Sequence, residues 1–91
     1  MRINKTELKK LEGKLVCVDW TDPTGVGGWR DAQQVQGLQV AHCTTWGMLL
    51  AVRKDGIVLA SSVSRAAEDV LVGDVTLLPF ANLVEVEVID S

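Results

Sequence analysis

His42-Cys43 is the pair in this 91-residue chain that invites a catalytic reading. A histidine can take a thiol proton, and Asp19 or Asp22 could orient the ring. Adjacent residues on a strand point to opposite faces, so His42 and Cys43 cannot hydrogen-bond to each other there. Cys17 would have to come across the sheet, and the favoured reading is a buried thiol beside an edge histidine. Cys17, His42 and Cys43 with a carboxylate could also be read as a metal set. Neither Cys-x-x-Cys nor His-x-x-x-His spacing supports that, and no metal or cofactor is expected. Gly25-Val26-Gly27-Gly28 lacks both the Lys-Ser/Thr of a P-loop and the spacing of a dinucleotide fingerprint, so it reads as a turn. Glu85 and Glu87 alternate outward from a strand and read as solvated carboxylates. A non-enzymatic protein is expected.

The residues better suited to function are aromatic and cationic. Trp20 and Trp46 fall in apolar strands and are assigned to the core. Trp29 follows the glycine-rich loop and precedes Arg30, so it is expected to be exposed. An exposed tryptophan beside an arginine suits an interface hot spot or a platform for a stacked base. Arg53 and Lys54 form the one cationic pair of the chain's body. Trp29, Arg30, Arg53 and Lys54 are therefore the candidate interface or ligand-binding residues.

Charge distribution narrows the partners. Residues 1–14 carry a net charge of +3, whereas residues 15–91 carry −6. The body would repel a phosphate backbone unless its few cations cluster. The basic head can meet nucleic acid, the acidic body of a neighbouring copy, or solvent alone. With 47% hydrophobic and 23% charged residues, the chain is globular rather than disordered. Its length gives one domain. Two cysteines are too few for a disulfide framework, so reduced thiols and a reducing, soluble compartment are expected. The charged first 14 residues do not read as a signal peptide, and no apolar run is long enough to span a membrane.

These residues must be positioned by short elements. Asn4 is an N-cap with Glu7 three positions later, Ile3 and Leu8 have staple spacing, and Gly13 is a stop signal. That predicts a helix over residues 5–12 with an Ile3, Leu8 and Leu11 stripe. Leu15 to Thr21 reads as a strand with Val16, Val18 and Trp20 on one face. Asp22-Pro23-Thr24-Gly25 ends it, and a short helical turn is expected within 29–35. Leu38 to Val52 reads as a long strand apolar on both faces, with Gly47 marking a bend or a close backbone approach. Asp55-Gly56 is the strongest hairpin signal, returning through Ile57 to Ser62. Ser64 to Asp74 reads as a connection ending in a Gly73-Asp74 turn, and Val75 to Leu78 as a strand broken by Pro79. Phe80 to Leu83 reads as a 3₁₀ turn. In the last strand, Val84, Val86 and Val88 are expected to face inward and Glu85 and Glu87 outward.

A helix, a three-strand meander with an Asp-Gly hairpin, then strand, short turn and strand resembles the Sm-like barrel and, more loosely, Src-homology-type barrels. Val75-Thr76-Leu77-Leu78-Pro79-Phe80-Ala81-Asn82-Leu83-Val84-Glu85-Val86 looks like the strand–turn–strand ending of those folds. Gly47-Met48-Leu49, Asp55 and Ile57-Val58-Leu59 look like the first Sm motif. Val18-Asp19-Trp20-Thr21-Asp22, Gly28-Trp29 and Thr45-Trp46-Gly47-Met48-Leu49-Leu50 are similar to small barrel proteins of bacteriophages and prophages. The resemblance implies a mainly β domain over residues 1–91: a helical segment 1–13 and a five-stranded Sm-like barrel over 14–91. It implies a homo-oligomer or larger protein assembly, in the host cytoplasm or on the virion, without a membrane. The alternative it implies is a single-stranded RNA or other nucleic-acid binder. Sm proteins read RNA through an Asn after the first-motif Asp and through an Arg-Gly. Here Gly56 follows Asp55, and Phe80-Ala81-Asn82 precedes the last strand, so that site does not carry over residue by residue.

Overall fold

The computed structural model describes residues 4–23, 28–65 and 70–89. The Asn4 side chain caps α1 (Lys5–Lys9), accepting from the Thr6 and Glu7 amides. The α-helix stops short of residue 12, because the chain tightens into turns and reverses at Gly13, whose φ is +87°. A helix this short does not persist alone. Leu8, fully buried, anchors it, and Leu11 packs partly against the same core. Burying one leucine is worth about 2–3 kcal/mol. Ile3 lies outside the described residues.

Five strands follow: β1 (Leu15–Asp22), β2 (Ala41–Val52), β3 (Gly56–Ser64), β4 (Leu71–Pro79) and β5 (Leu83–Val88). Every neighbouring pair is antiparallel, in the spatial order β4-β3-β2-β1-β5. The chain is therefore mainly β with one short helix among its described residues, as the alternation of apolar residues implies. The expected helical turn is a 3₁₀ turn at Ala32–Val35, capped by Asp31, and a second 3₁₀ turn spans Phe80–Asn82. The turn expected at Asp22-Pro23-Thr24-Gly25 and the Gly25-to-Gly28 loop fall largely on residues 24–27, outside the described residues.

That second 3₁₀ turn shapes the sheet. It joins β4 to β5, which stand at opposite borders of the strand order. Four strand spacings cover about 19 Å in a flat sheet. The four steps from Pro79 to Leu83 reach at most about 14 Å even when fully extended. The sheet must therefore curl until its borders approach each other. The core records the curl, since Leu78 of β4 and Leu83 and Val86 of β5 share one cluster with Val16, Val18, Leu49, Ile57, Leu59 and Leu8. No β4–β5 ladder closes the ring among the described residues. Asn82 fastens the crossover, its amide donating to the Thr21 carbonyl at 2.8 Å.

Two irregularities reset which side chains face inward. The β2–β3 register shifts between Leu49 and Ala51, so Leu50 is the extra residue and both Leu49 and Val52 reach the core. The β1–β5 register shifts between Asp19 and Trp20, which makes Val84 the extra residue of β5. Leu83 and Val86 then face inward, while Val84 is 51% exposed and Val88 is also exposed. The expected inward set of Val84, Val86 and Val88 is corrected at Val84, whose place Leu83 takes; Val86 faces inward as expected, and Val88, paired with buried Val16, lies on the same face but is 38% exposed at the strand end. Glu87 is exposed as expected, and Glu85 is half-buried.

Gly73-Asp74 is not a chain reversal. Both residues lie inside β4, where Gly73 pairs with Ser62. The left-handed conformation typical of a turn is nevertheless present, since Asp74 has φ +53°. The strand placed at Val75–Leu78 begins at Leu71, and Pro79 ends it rather than breaking it. The β2–β3 ladder runs from Val52–Ile57 only to Met48–Ala60, while β3–β4 continues to Ser64–Leu71 and β1–β2 to Asp22–Ala41. Two ribbons thus diverge from one curled core, and the molecule extends 56 × 29 × 26 Å.

Glycine is required where backbones touch. A Cβ on Gly47 would sit 2.8 Å from the Ala60 carbonyl oxygen, and one on Gly56 would collide with that of Leu78. Gly56 meets main chain of a paired strand, which cannot step aside. We expect Gly56→Ala to cost about 2–4 kcal/mol of stability, measurable as a lowered midpoint in urea. Unchanged stability would contradict the close packing of β3 on β4.

Candidate interaction surfaces

The four candidate residues fall into two separate groups. Trp29 is fully exposed and Arg30 is exposed; both lie on the connection that leaves the Asp22–Ala41 end of β1 and β2. Arg53 and Lys54 sit on the β2–β3 turn at the other end of β2. Twelve residues of strand lie between, a contour of about 36 Å. The structure therefore gives a Trp-Arg tip at one end and a cationic turn at the other.

The cationic turn does not act alone. Arg53 and Lys54 line one cleft of about 270 Å³ with Lys5, Thr6, Lys9 and Val52. The hairpin is fixed by the Arg53 amide donating to the Gly56 carbonyl at 2.8 Å. The helix end is fixed to β2 by the Val52 amide, which donates to the Glu12 carboxylate at 2.8 Å. Lys5 donates to the Lys54 carbonyl at 3.2 Å and lies 4.8 Å from the centre of the Phe80 ring. Arg53 pairs with Asp55 at 3.4 Å. The Lys9 and Lys54 ammonium groups meet no carboxylate among the described residues. Four cations thus share one concavity in a chain of net charge −3. The sequence shows Arg53-Lys54 and the basic head separately, and only the docking of α1 beside the turn joins them.

The second surface corrects the placement of Trp46. Trp20 packs against the core, with its indole N–H donating to Thr45 Oγ1 at 2.9 Å. Trp46 is 61% exposed on the opposite face of the sheet. Gly47 and Leu49 take the inward positions of β2, so their neighbour Trp46 must point out. Cys17 stands between Trp46 on β2 and Glu87 on β5, and Asp19 stands between Thr44 and Glu85. Thr44 donates to Asp19 at 2.8 Å. Asp19 and Glu85 are directly opposed like charges, an arrangement that costs stability in isolation. The outer face is thus a tryptophan and a thiol surrounded by three carboxylates.

The thiol senses that field. Burial first, then Asp19, Glu87 and Glu85, push the Cys17 pKa above its ordinary value. Cys17 and Cys43 lie on opposite faces of the sheet, because their β-ladder partners are Trp46 and Trp20 respectively. His42 pairs with Thr21 and points away from the Cys43 face, as strand alternation requires. The described residues hold no cluster of three or more His, Cys, Asp or Glu able to grip a metal ion. No helix among them is long and apolar enough to cross a membrane.

No protein-family profile, curated protein or solved structure matches the chain.

A raised thiol pKa means less thiolate at a given pH and slower alkylation. We expect Cys17 to react with iodoacetamide more slowly than a free thiol at pH 8, and Glu87→Gln to speed it by moving the pKa back down. Mass spectrometry on digested protein reads each cysteine separately. An unchanged rate in Glu87→Gln would contradict the placement of that carboxylate.

Proposed function

We propose that the chain is a non-enzymatic binding or assembly module, a self-associating Sm-like barrel of the kind carried by bacteriophages and prophages. It works in the host cytoplasm or on the virion. The curled five-stranded sheet, its strand order and the short crossover between border strands support the barrel reading. The observation that carries self-association is the state of the borders. Among the described residues, β4 and β5 each have one edge without a strand partner. β4 is nine residues long, and Asp74 is its sole charge. Leu71, Val72, Val75 and Leu77 of β4 are exposed, as are Val84 and Val88 of β5. A long, mostly apolar edge with a single charge pairs readily with another strand unless something covers it. Pairing β4 of one copy with β5 of the next covers both. The dispersal of Cys17, His42 and Cys43 over two faces favours binding over nucleophilic catalysis.

Light scattering after size exclusion tests this. The parent chain is expected to elute as a multimer, and Val75→Lys with Leu77→Lys to shift it to a monomer with unchanged circular dichroism. A parent that stays monomeric at high concentration counts against self-association.

The cationic cleft supports a second reading, single-stranded RNA or other nucleic-acid binding. Four cations engaging a single strand give a slope of about −3 for log affinity against log salt. Fluorescence anisotropy with a labelled oligonucleotide measures it. No binding at low salt removes this reading.

A further inference from the structure

The cleft and the acidic outer face are complementary, yet one chain cannot bring them together. α1 packs on the inner face of the sheet through Leu8, in the cluster that holds Val16, Val18 and Leu49. Trp46, Cys17, Asp19 and Glu87 alternate with those residues and point to the other side. The two surfaces also carry opposite charge. The cleft gathers four cations, and Lys9 and Lys54 lack a carboxylate among the described residues. The outer face sets Asp19 directly against Glu85 and places Glu87 one row away. Shape agrees with charge. A cleft of about 270 Å³ is below the usual range for drug-sized ligands, about 300–1,000 Å³, and suits one large side chain. Its lining includes Val52 and four cationic side chains, and cations favour an aromatic face. Trp46 is the exposed aromatic that stands among carboxylates, so one contact satisfies ring and charges together.

We propose that the outer face of one copy seats on the cleft of a second copy. Trp46 enters between Lys9 and Lys54, and Asp19, Glu85 and Glu87 face the cations of the receiving copy. This rests on the reading of the chain as self-associating and adds a second contact to it. Border pairing extends the sheet sideways, whereas this contact joins one face of the sheet to the helix side of the next copy. The two patches differ, so the contact is head-to-tail and propagates until it closes or forms a filament. Exposed tryptophan at the centre and charges at the rim is the usual division of labour, with the ring supplying affinity and the charges orientation.

The test is charge reversal with complementation, read by light scattering at low salt, where such contacts are least screened. Lys9→Glu with Lys54→Glu is expected to weaken association at least ten-fold, as are Glu85→Lys with Glu87→Lys and the single change Trp46→Ala. All these side chains except that of the half-buried Glu85 are exposed, and circular dichroism verifies that each variant folds. Mixing the two charge-reversed variants in equal amounts restores every interface in trans, so the mixture is expected to recover the parent's mass. A mixture no larger than its components overturns the proposal, as does any reversal that leaves the parent's mass unchanged. If the parent is a multimer and the variants match it, border pairing survives and this contact does not. If the parent is monomeric at every concentration, both fall.

Discussion

The short crossover from β4 to β5 is the constraint from which the rest of the molecule follows. A sheet whose first and last strands in space are joined by a 3₁₀ turn at Phe80–Asn82 cannot lie flat. Curling brings Leu78, Leu83 and Val86 onto one core and gives a chain of this size a hydrophobic centre that a flat sheet would lack. Curling also demands small residues where strands bend across each other, which explains Gly47 and Gly56. The Leu50 and Val84 bulges absorb the remaining mismatch between the strand ladders. The crossover draws the borders together with no ladder between them among the described residues, and this leaves the two edges on which the functional reading turns.

Much of this is legible in the residues alone. The Asn4 cap, the Asp55-Gly56 hairpin and the 3₁₀ turn after Pro79 are local signals with local causes, and each stands where the residues place it, whereas the α-helix ends at Lys9, ahead of its Gly13 stop signal. What could not be read is whatever depends on registration between strands. A single extra residue at Val84 turns Val84 outward and Leu83 inward, and no composition signal marks it. The outward placement of Trp46 is hidden for a related reason. β2 is apolar on both faces, so the pattern fixes its period but not its phase. Gly47 held the missing clue, since the residue that permits close backbone approach must face inward. Gly73-Asp74 shows the converse: residues of turn type, one of them left-handed, can also sit inside a strand.

The candidate site was half legible. Exposure of Trp29 and Arg30 follows from their loop, and Arg53 and Lys54 lie on the turn as expected. Their association with Lys5 and Lys9 depends on α1 docking through Leu8, a tertiary fact. The acidic setting of Cys17 likewise depends on β1 lying between β2 and β5, three segments far apart in sequence. Charge segregation was visible along the chain. Its division between two opposed surfaces was not.

The proposed assembly joins copies through β4 and β5, the borders that the curled sheet leaves without a ladder between them among the described residues. Hydrogen exchange measured as a function of protein concentration addresses it most directly. Amides on the outer edges of β4 and β5 should exchange rapidly at high dilution and become protected as concentration rises, while those of β1 and β2 stay protected throughout. Edge amides already protected at the highest dilution would mean a barrel closed within one chain, and edge amides that remain fast at every concentration would mean that no copy ever joins.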